Sequence, residues 1–263
     1  MPSNQDGPRS PLFNPITLNG NASLPGLADL GVSEQLAAAY EHAPTGDCVA
    51  WGIPFEVGDI VAISNESVSI DLPPIVVPWL VFMHTSDLRH VEPSRTGFYS
   101  PMRGEGQLGE HAANYVIRYA DGSEESVPVR RRYQLGTFQR RWGENCMESV
   151  AHHKPFPRRA SHEQVSTSWG RSQTRVDPAD SGDWVNWLWA WENPHPEKYI
   201  VGVRFEPVSG IVIVSAVSAG AVSSMPLRWQ TRRKAVLALP EGEPFNPELD
   251  EHGLLQQIQL DLG

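Results

Sequence analysis

The sequence predicts an all-β fold, a two-sheet antiparallel β-sandwich of jelly-roll type with a short N-terminal helix, and three observations carry that prediction. First, 23 Pro and 22 Gly in 263 residues, with only 20% charged side chains, describe many short segments joined by turns. Second, about ten stretches rich in β-branched and aromatic residues follow one another at hairpin spacing. Third, one of them, VVPWLVFMHTS, is a continuous apolar run of the kind a strand carries when its sheet is buried on both faces.

Residues 1–44 read as an N-terminal extended segment, rich in Pro, Asn, Gly and Ser, followed by a short peripheral helix. Ser33 is its N-cap, and Leu36, Ala37 and Tyr40 share one face. Residues 45–263 read as the sandwich. CVAWGIPFEV alternates and is broken by Gly52 and Pro54, and DIVAIS and SVSIDL follow. Pro78 confines the central part of the next run to Trp79 onward, because proline lacks the donor a paired strand needs. NYVIRYADGSEESVPVRRR is the clearest hairpin: Tyr115, Ile117 and Tyr119 fall on one face, and Asp121-Gly122 suits the positive φ angles of a tight turn. A long irregular insertion occupies about 137–183. WVNWLWAWENPHP then places Trp187, Trp189 and Trp191 on one side of a strand and Leu188 and Ala190 on the other, with Asn193-Pro194 ending it. KYIVGVRFEPV, GIVIVSAVSAG, a run after Trp229 and an alternating tail at Ile258, Leu260 and Leu262 complete the strands.

A net charge of −10 and a pI near 5.3 argue against nucleic acid or an anionic membrane surface as the main partner. The N-terminus lacks the basic start and apolar run of a signal peptide, and no stretch is long enough to span a membrane, so a cytoplasmic location is expected. Cys48 and Cys146 have no metal-ligand spacing and read as two free thiols, with one long-range disulfide as the alternative.

The residues with chemical potential are few. Tryptophans on one sheet face serve either as core or as a stacking platform for a flat ligand such as a carbohydrate or aryl ring. Trp187 or Trp191, with Trp142 or Tyr99, are the candidates for the second role. Arg131, in the run Arg130–Arg132, is the candidate polar contact, against a reading of that run as solvated edge charge. His84, His152 and His153 are the best metal candidates, although no histidine pair has ligand spacing. Gly104, Gly106 and Gly109 match G-x-G-x-x-G but precede a strand, so the expectation is a loop and not a nucleotide site. Paired carboxylates are suggestive at Glu144, Glu148, Asp183 and Glu192, and no nucleophile motif is present, so no catalytic residue is assigned.

LVFMHTS, YVIRYADGSEESVPVRRR and WLWAWENPHPEKYIVGVRFEP together resemble the N-terminal β-sandwich module of carbaryl-hydrolase-type (CehA/McbA) metallohydrolases of the polymerase-and-histidinol-phosphatase superfamily. They also resemble accessory modules of bacterial carbohydrate-active enzymes. The resemblance covers roughly residues 45–263. It implies a galactose-binding-like or jelly-roll domain that accompanies a hydrolase domain. That partner domain would bring a divalent metal and a His-x-His, and this chain contains no His-x-His. The expectation is therefore a non-catalytic module without a cofactor of its own, which binds a ligand or packs on the hydrolase domain. The competing expectation is a hydrolase of small esters, amides or glycosides with a His-centred site.

Overall fold

The structure is a computed structural model that describes residues 7–89, 106–140, 145–153, 183–227, 236, 238–248 and 257. Its strands are β1 (Phe13–Ile16), β2 (Gly46–Ala50), β3 (Ile53–Val57), β4 (Val61–Ile63), β5 (Val68–Ile75), β6 (Trp79–Ser86), β7 (His111–Tyr119), β8 (Glu124–Arg130), β9 (Ser149–Ala151), β10 (Trp187–Glu192), β11 (Ile200–Pro207) and β12 (Val212–Gly220). One α-helix, α1 (Glu34–Ala39), lies between two 3-10 turns, Leu24–Leu30 and Tyr40–His42. Every pairing between these strands is antiparallel.

A main sheet runs β1-β12-β6-β10-β9, with β4 beside β1 on the same flank of β12, and a second sheet runs β5-β11-β7-β8. The two sheets face each other as a sandwich. Leu80, Phe82, Trp189, Trp191, Val214 and Val217 from the main sheet meet Ile70, Tyr115, Ile117, Val203 and Phe205 from the second. Within each strand these side chains are at alternate positions, as the pleat requires, except in β12, where a register shift between Val214 and Ala216 brings Val217 to the same face as Val214.

The main sheet is covered on its other face too. There Val81, Met83, Leu188, Ala190 and Ile213 pack against Cys48, Ile53 and Phe55 of the β2–β3 hairpin and against Leu27 and Leu36. All eight residues of β6 are buried, which is the physical reason for the unbroken apolar run in its sequence. The molecule thus has a third layer that two sheets alone do not account for.

The helix is part of that layer and not peripheral, because its Leu36 is fully buried, as is Leu27 of the 3-10 turn before it. Its cap is the expected one: the Leu36 N–H donates to Ser33 Oγ at 3.2 Å. The N-terminal segment likewise enters the fold, since β1 pairs with β12 from Phe13↔Gly220 to Ile16↔Val217. The β2–β3 hairpin turns at Trp51-Gly52, both with positive φ (56° and 75°). That is the backbone of a primed two-residue turn, with a tryptophan where asparagine or glycine is usual. Residues 228–235 and 237 of the strand candidate around Trp229 and all of 258–262 lie outside the described residues, as do most residues of the 137–183 stretch; Val236 and 238–240 are in no strand.

Both edge strands of the second sheet carry proline, Pro73 and Pro74 in β5 and Pro128 in β8, in keeping with the confinement of proline to sheet edges. The chain passes from the main sheet to the second through Asn193-Pro194-His195-Pro196, and Asn193 fastens that passage. Its N–H donates to Pro78 O at 2.8 Å and its Nδ2 to Val77 O at 3.0 Å. Its Oδ1 accepts from the Tyr119 hydroxyl at 2.7 Å and from the His195 N–H at 2.9 Å. One buried side chain therefore holds β10, the approach to β6 and the β7–β8 hairpin together. Asn193→Ala would leave the Tyr119 hydroxyl and the Val77 carbonyl without partners, and a loss of about 2–4 kcal/mol is expected in urea unfolding. A loss below about 0.5 kcal/mol would remove this fastener from the account.

Candidate functional site

Four of the sequence candidates, His84, Arg131, Trp187 and His152, come to one end of the sandwich. There β6 and β8 finish, and β7, β10 and β12 begin. The segment after β8 closes this end: Ser86 bridges Thr137, and the Ser86 N–H donates to Gly136 O at 3.0 Å. Trp191 lies at the other end of β10, paired with Leu80. Tyr99 and Trp142 are outside the described residues.

His84 sits among Phe82, Tyr115 and Trp189, its ring stacked on Trp189 at 6.1 Å and 6°. Both nitrogens are engaged. Nε2 is 2.8 Å from Gln134 O, which can only accept, so Nε2 carries the proton. Nδ1 then accepts from the Tyr115 hydroxyl at 2.8 Å. Burial lowers the pKa of this imidazole to about 4, only partly offset by the Gln134 carbonyl. A ring held neutral with both nitrogens occupied serves as a cross-sheet link between β6 and β7.

Arg131 is 1% exposed, which overturns both its reading as solvated edge charge and its reading as a ligand contact. It points inward because residues 131–135 turn back under the end of the sandwich. Its Nε lies 2.9 Å from Glu110 Oε2, Nη1 donates to Ser86 Oγ at 2.6 Å, and Nη2 donates to Ser209 O at 3.1 Å. Glu110 in turn accepts from the Ser209 hydroxyl at 2.7 Å and from Arg89 at 3.2 Å. Burial by itself raises the Glu110 pKa, but the Ser209 and Arg131 contacts outweigh it and the net shift is downward, so the carboxylate stays ionised. Burial draws Arg131 down to about 10, still protonated at neutral pH. The turn at Gly210, with φ of 68°, must be glycine on two counts, since a Cβ there would lie 2.7 Å from both Arg131 Nη2 and Arg89 Cδ. Beside this pair, buried Asp87 accepts from the Ser33 N–H at 2.6 Å and the Ser33 hydroxyl at 2.5 Å, tying the start of α1 to the end of β6.

Trp187 and Trp191 are 2% and 7% exposed, so neither offers a ring face to a ligand; both are core, Trp191 between the sheets and Trp187 with Val185 and Ala151. The Trp187 indole N–H donates to Thr137 O at 2.9 Å, and Gly136 lies so close that a Cβ on it would be 2.2 Å from the ring. His152 is half-buried. Its Nδ1 accepts from the Asn186 N–H at 3.1 Å, and its ring meets His153 edge-on at 5.2 Å. Burial, reinforced by His153, lowers its pKa to about 3. Among the described residues no group of three or more His, Cys, Asp or Glu is arranged to hold a metal ion. Cys48 and Cys146 are not joined by a disulfide. Gly106 and Gly109 lead directly into β7, so the glycine triplet precedes a strand, as read from sequence.

The sequence reading missed Glu110, Gly136, Asn186 and Asn193. Only Asn193 had a signal, its place in the WENPHP motif. Glu110 is 21 residues from Arg131, and no spacing rule links them. No family model matches this chain, and no curated protein matches it in sequence.

The folded His84 ring stays neutral to about 4 while an unfolded one titrates near 6.5. Between those values the unfolded chain binds the extra proton. The stability His84 contributes is complete above the unfolded value and is lost as pH falls toward the folded one. NMR of the ring carbons should show a His84 midpoint near 4, and a midpoint near 6.5 would contradict the buried, doubly bonded ring. Arg131→Met should cost about 3–5 kcal/mol in urea unfolding, because it leaves the Glu110 carboxylate without its main partner.

Proposed function

We propose that this chain is a non-catalytic β-sandwich module of jelly-roll or galactose-binding-like type. In this reading it is the N-terminal part of, or a companion to, a metal-dependent hydrolase, and it binds a ligand or packs on the catalytic domain. One observation carries the reading. The groups with acid–base or ligating capacity at the candidate site are consumed in holding the sheets together: His84 by Tyr115 and Gln134, Arg131 by Glu110, Ser86 and Ser209. A reacting centre needs such groups presented to a substrate, with a pKa tuned toward the working pH. Here the shifts run away from neutrality, toward 4 for His84 and 3 for His152.

The resemblance of the hairpin and WENPHP stretches to hydrolase-associated modules supports the companion role. The charge of −10 favours a protein or an uncharged small molecule over nucleic acid as the partner. A cytoplasmic setting is in keeping with two cysteines that form no disulfide with each other. No helix among the described residues is long and apolar enough to cross a membrane.

The deciding experiment is metal analysis of the purified 263-residue chain, with turnover of aryl esters, anilides and aryl glycosides assayed before and after chelation. The module reading expects no turnover dependent on metal. Stoichiometric zinc or manganese together with chelator-sensitive turnover would replace it with the hydrolase reading.

A further inference from the structure

The third layer covers the main sheet at a place where two strands part. One step beyond Trp187↔His84, the antiparallel register sets Asn186, at the entry to β10, opposite Thr85 of β6. By alternation Thr85 lies with Val81 and Met83, and Asn186 with Leu188 and Ala190, on the face turned to the third layer. Past this pair the strands fork around residues 136–138. The Ser86 N–H donates to Gly136 O at 3.0 Å, the Phe138 N–H to Ser86 O at 3.0 Å, and the Val185 N–H to Phe138 O at 2.8 Å. We propose that a single water molecule is bound at the base of this fork, linking the Asn186 amide to the Thr85 hydroxyl.

Both side chains are wholly buried, and each has one atom without a hydrogen-bond partner among the described residues, Thr85 Oγ1 and Asn186 Nδ2. Turning the amide over does not remove the deficit. The Trp184 indole N–H, which can only donate, lies 3.1 Å from one amide atom, so that atom is Oδ1; the Ser215 hydroxyl donates to it as well, at 3.2 Å. Nδ2 therefore keeps its N–H groups without an acceptor, opposite a hydroxyl that can both accept and donate. The main-chain N–H and carbonyl of Asn186 are turned to His152 on the β9 side. Asn186 and Thr85 are thus a pair with no main-chain bonds between them, the kind in which facing side chains stand closest.

Room for a water comes from two irregularities. Residues 136–138 hold β6 and the approach to β10 apart, and β12 shifts register between Val214 and Ala216, where Ser215 stands. A buried water is held by about two to four polar partners; here it accepts from Asn186 Nδ2 and donates to Thr85 Oγ1. Asp87, the next residue of β6 and its exit on this face, is engaged by Ser33 at the start of α1, which leaves neutral dipoles at the fork and favours a neutral occupant over an ion. The water supplies the link between β6 and β10 that the fork removes from the main chain.

The proposal is independent of the module reading. Its test is a crystal structure of the intact chain at a resolution that shows ordered water, with urea unfolding of Thr85→Val and Thr85→Ser beside the unsubstituted protein. The expected density is one water within hydrogen-bond distance of both Asn186 Nδ2 and Thr85 Oγ1, and it persists in Thr85→Ser, which keeps the hydroxyl. Thr85→Val nearly keeps the shape but removes one partner of the water, and should raise the unfolding equilibrium constant about three- to tenfold. A hydroxyl with no partner predicts the reverse, because a methyl group in its place loses no hydrogen bond and spares the burial of a polar atom. The site is overturned by a structure with no water between the two atoms, including one in which Thr85 and Asn186 bond each other directly. It is overturned equally by a Thr85→Val chain as stable as its parent or more so; if that variant does not fold, the density alone decides.

Discussion

Burial of the main sheet on both faces is the constraint on which the rest of the structure depends. A sheet with one wet face can place any polar residue on that side; here β6 has no such side, and its eight residues are all excluded from solvent. Hydrophobic side chains follow at nearly every position, and each polar exception must bring its own partners, because an unpaired buried polar group costs about 1–3 kcal/mol. His84, Ser86, Arg131 and Asn186 are bonded within the protein, whereas the buried hydroxyls of Thr85 in β6 and Ser218 in β12 have no hydrogen-bond partner among the described residues.

The two ends of the sandwich solve the same problem with different chemistry. At the end where the chain crosses between sheets, a neutral amide, Asn193, accepts from the Tyr119 hydroxyl and the His195 N–H and donates to the Val77 carbonyl, while its main-chain N–H donates to Pro78 O. At the other end a buried guanidinium and a half-buried carboxylate lie side by side, with Ser86 and Ser209 about them. The amide is indifferent to pH. The ionic end holds only while Glu110 is charged, and the His84 link beside it only while the ring is neutral, so acid acts first on the second end.

Much of the fold was legible in the sequence because it is written in local patterns. Alternation placed Tyr115, Ile117 and Tyr119 together, Asp121-Gly122 located the hairpin turn, and Ser33 located the helix start. The apolar run of β6 disclosed a sheet covered twice, but not what covered it, since the third layer is assembled from a hairpin and a helix with ordinary sequences of their own. The candidate site was legible in its members and not in their roles. His84, Arg131 and Trp187 do come together, yet whether a side chain faces solvent or a partner depends on residues far away in sequence: Gln134 for His84, Glu110 for Arg131, Gly136 for Trp187. The β2–β3 turn was not legible either, because a tryptophan at a positive-φ position contradicts the usual turn chemistry instead of announcing it.

The prolines at the rim of the second sheet bear on how this molecule meets other proteins. Main-chain pairing with an added strand is a low-specificity route to association, open to any extended peptide and to a second copy of the chain. Pro73, Pro74 and Pro128 remove donors along both borders of that sheet, and on the main sheet the Trp51 indole occupies the Ala151 carbonyl at the β9 border. Association must then be read through side chains, on faces or loop ends, where shape and charge discriminate between partners. Along the two borders of the second sheet, an incoming strand would meet fewer main-chain donors than an ordinary edge offers.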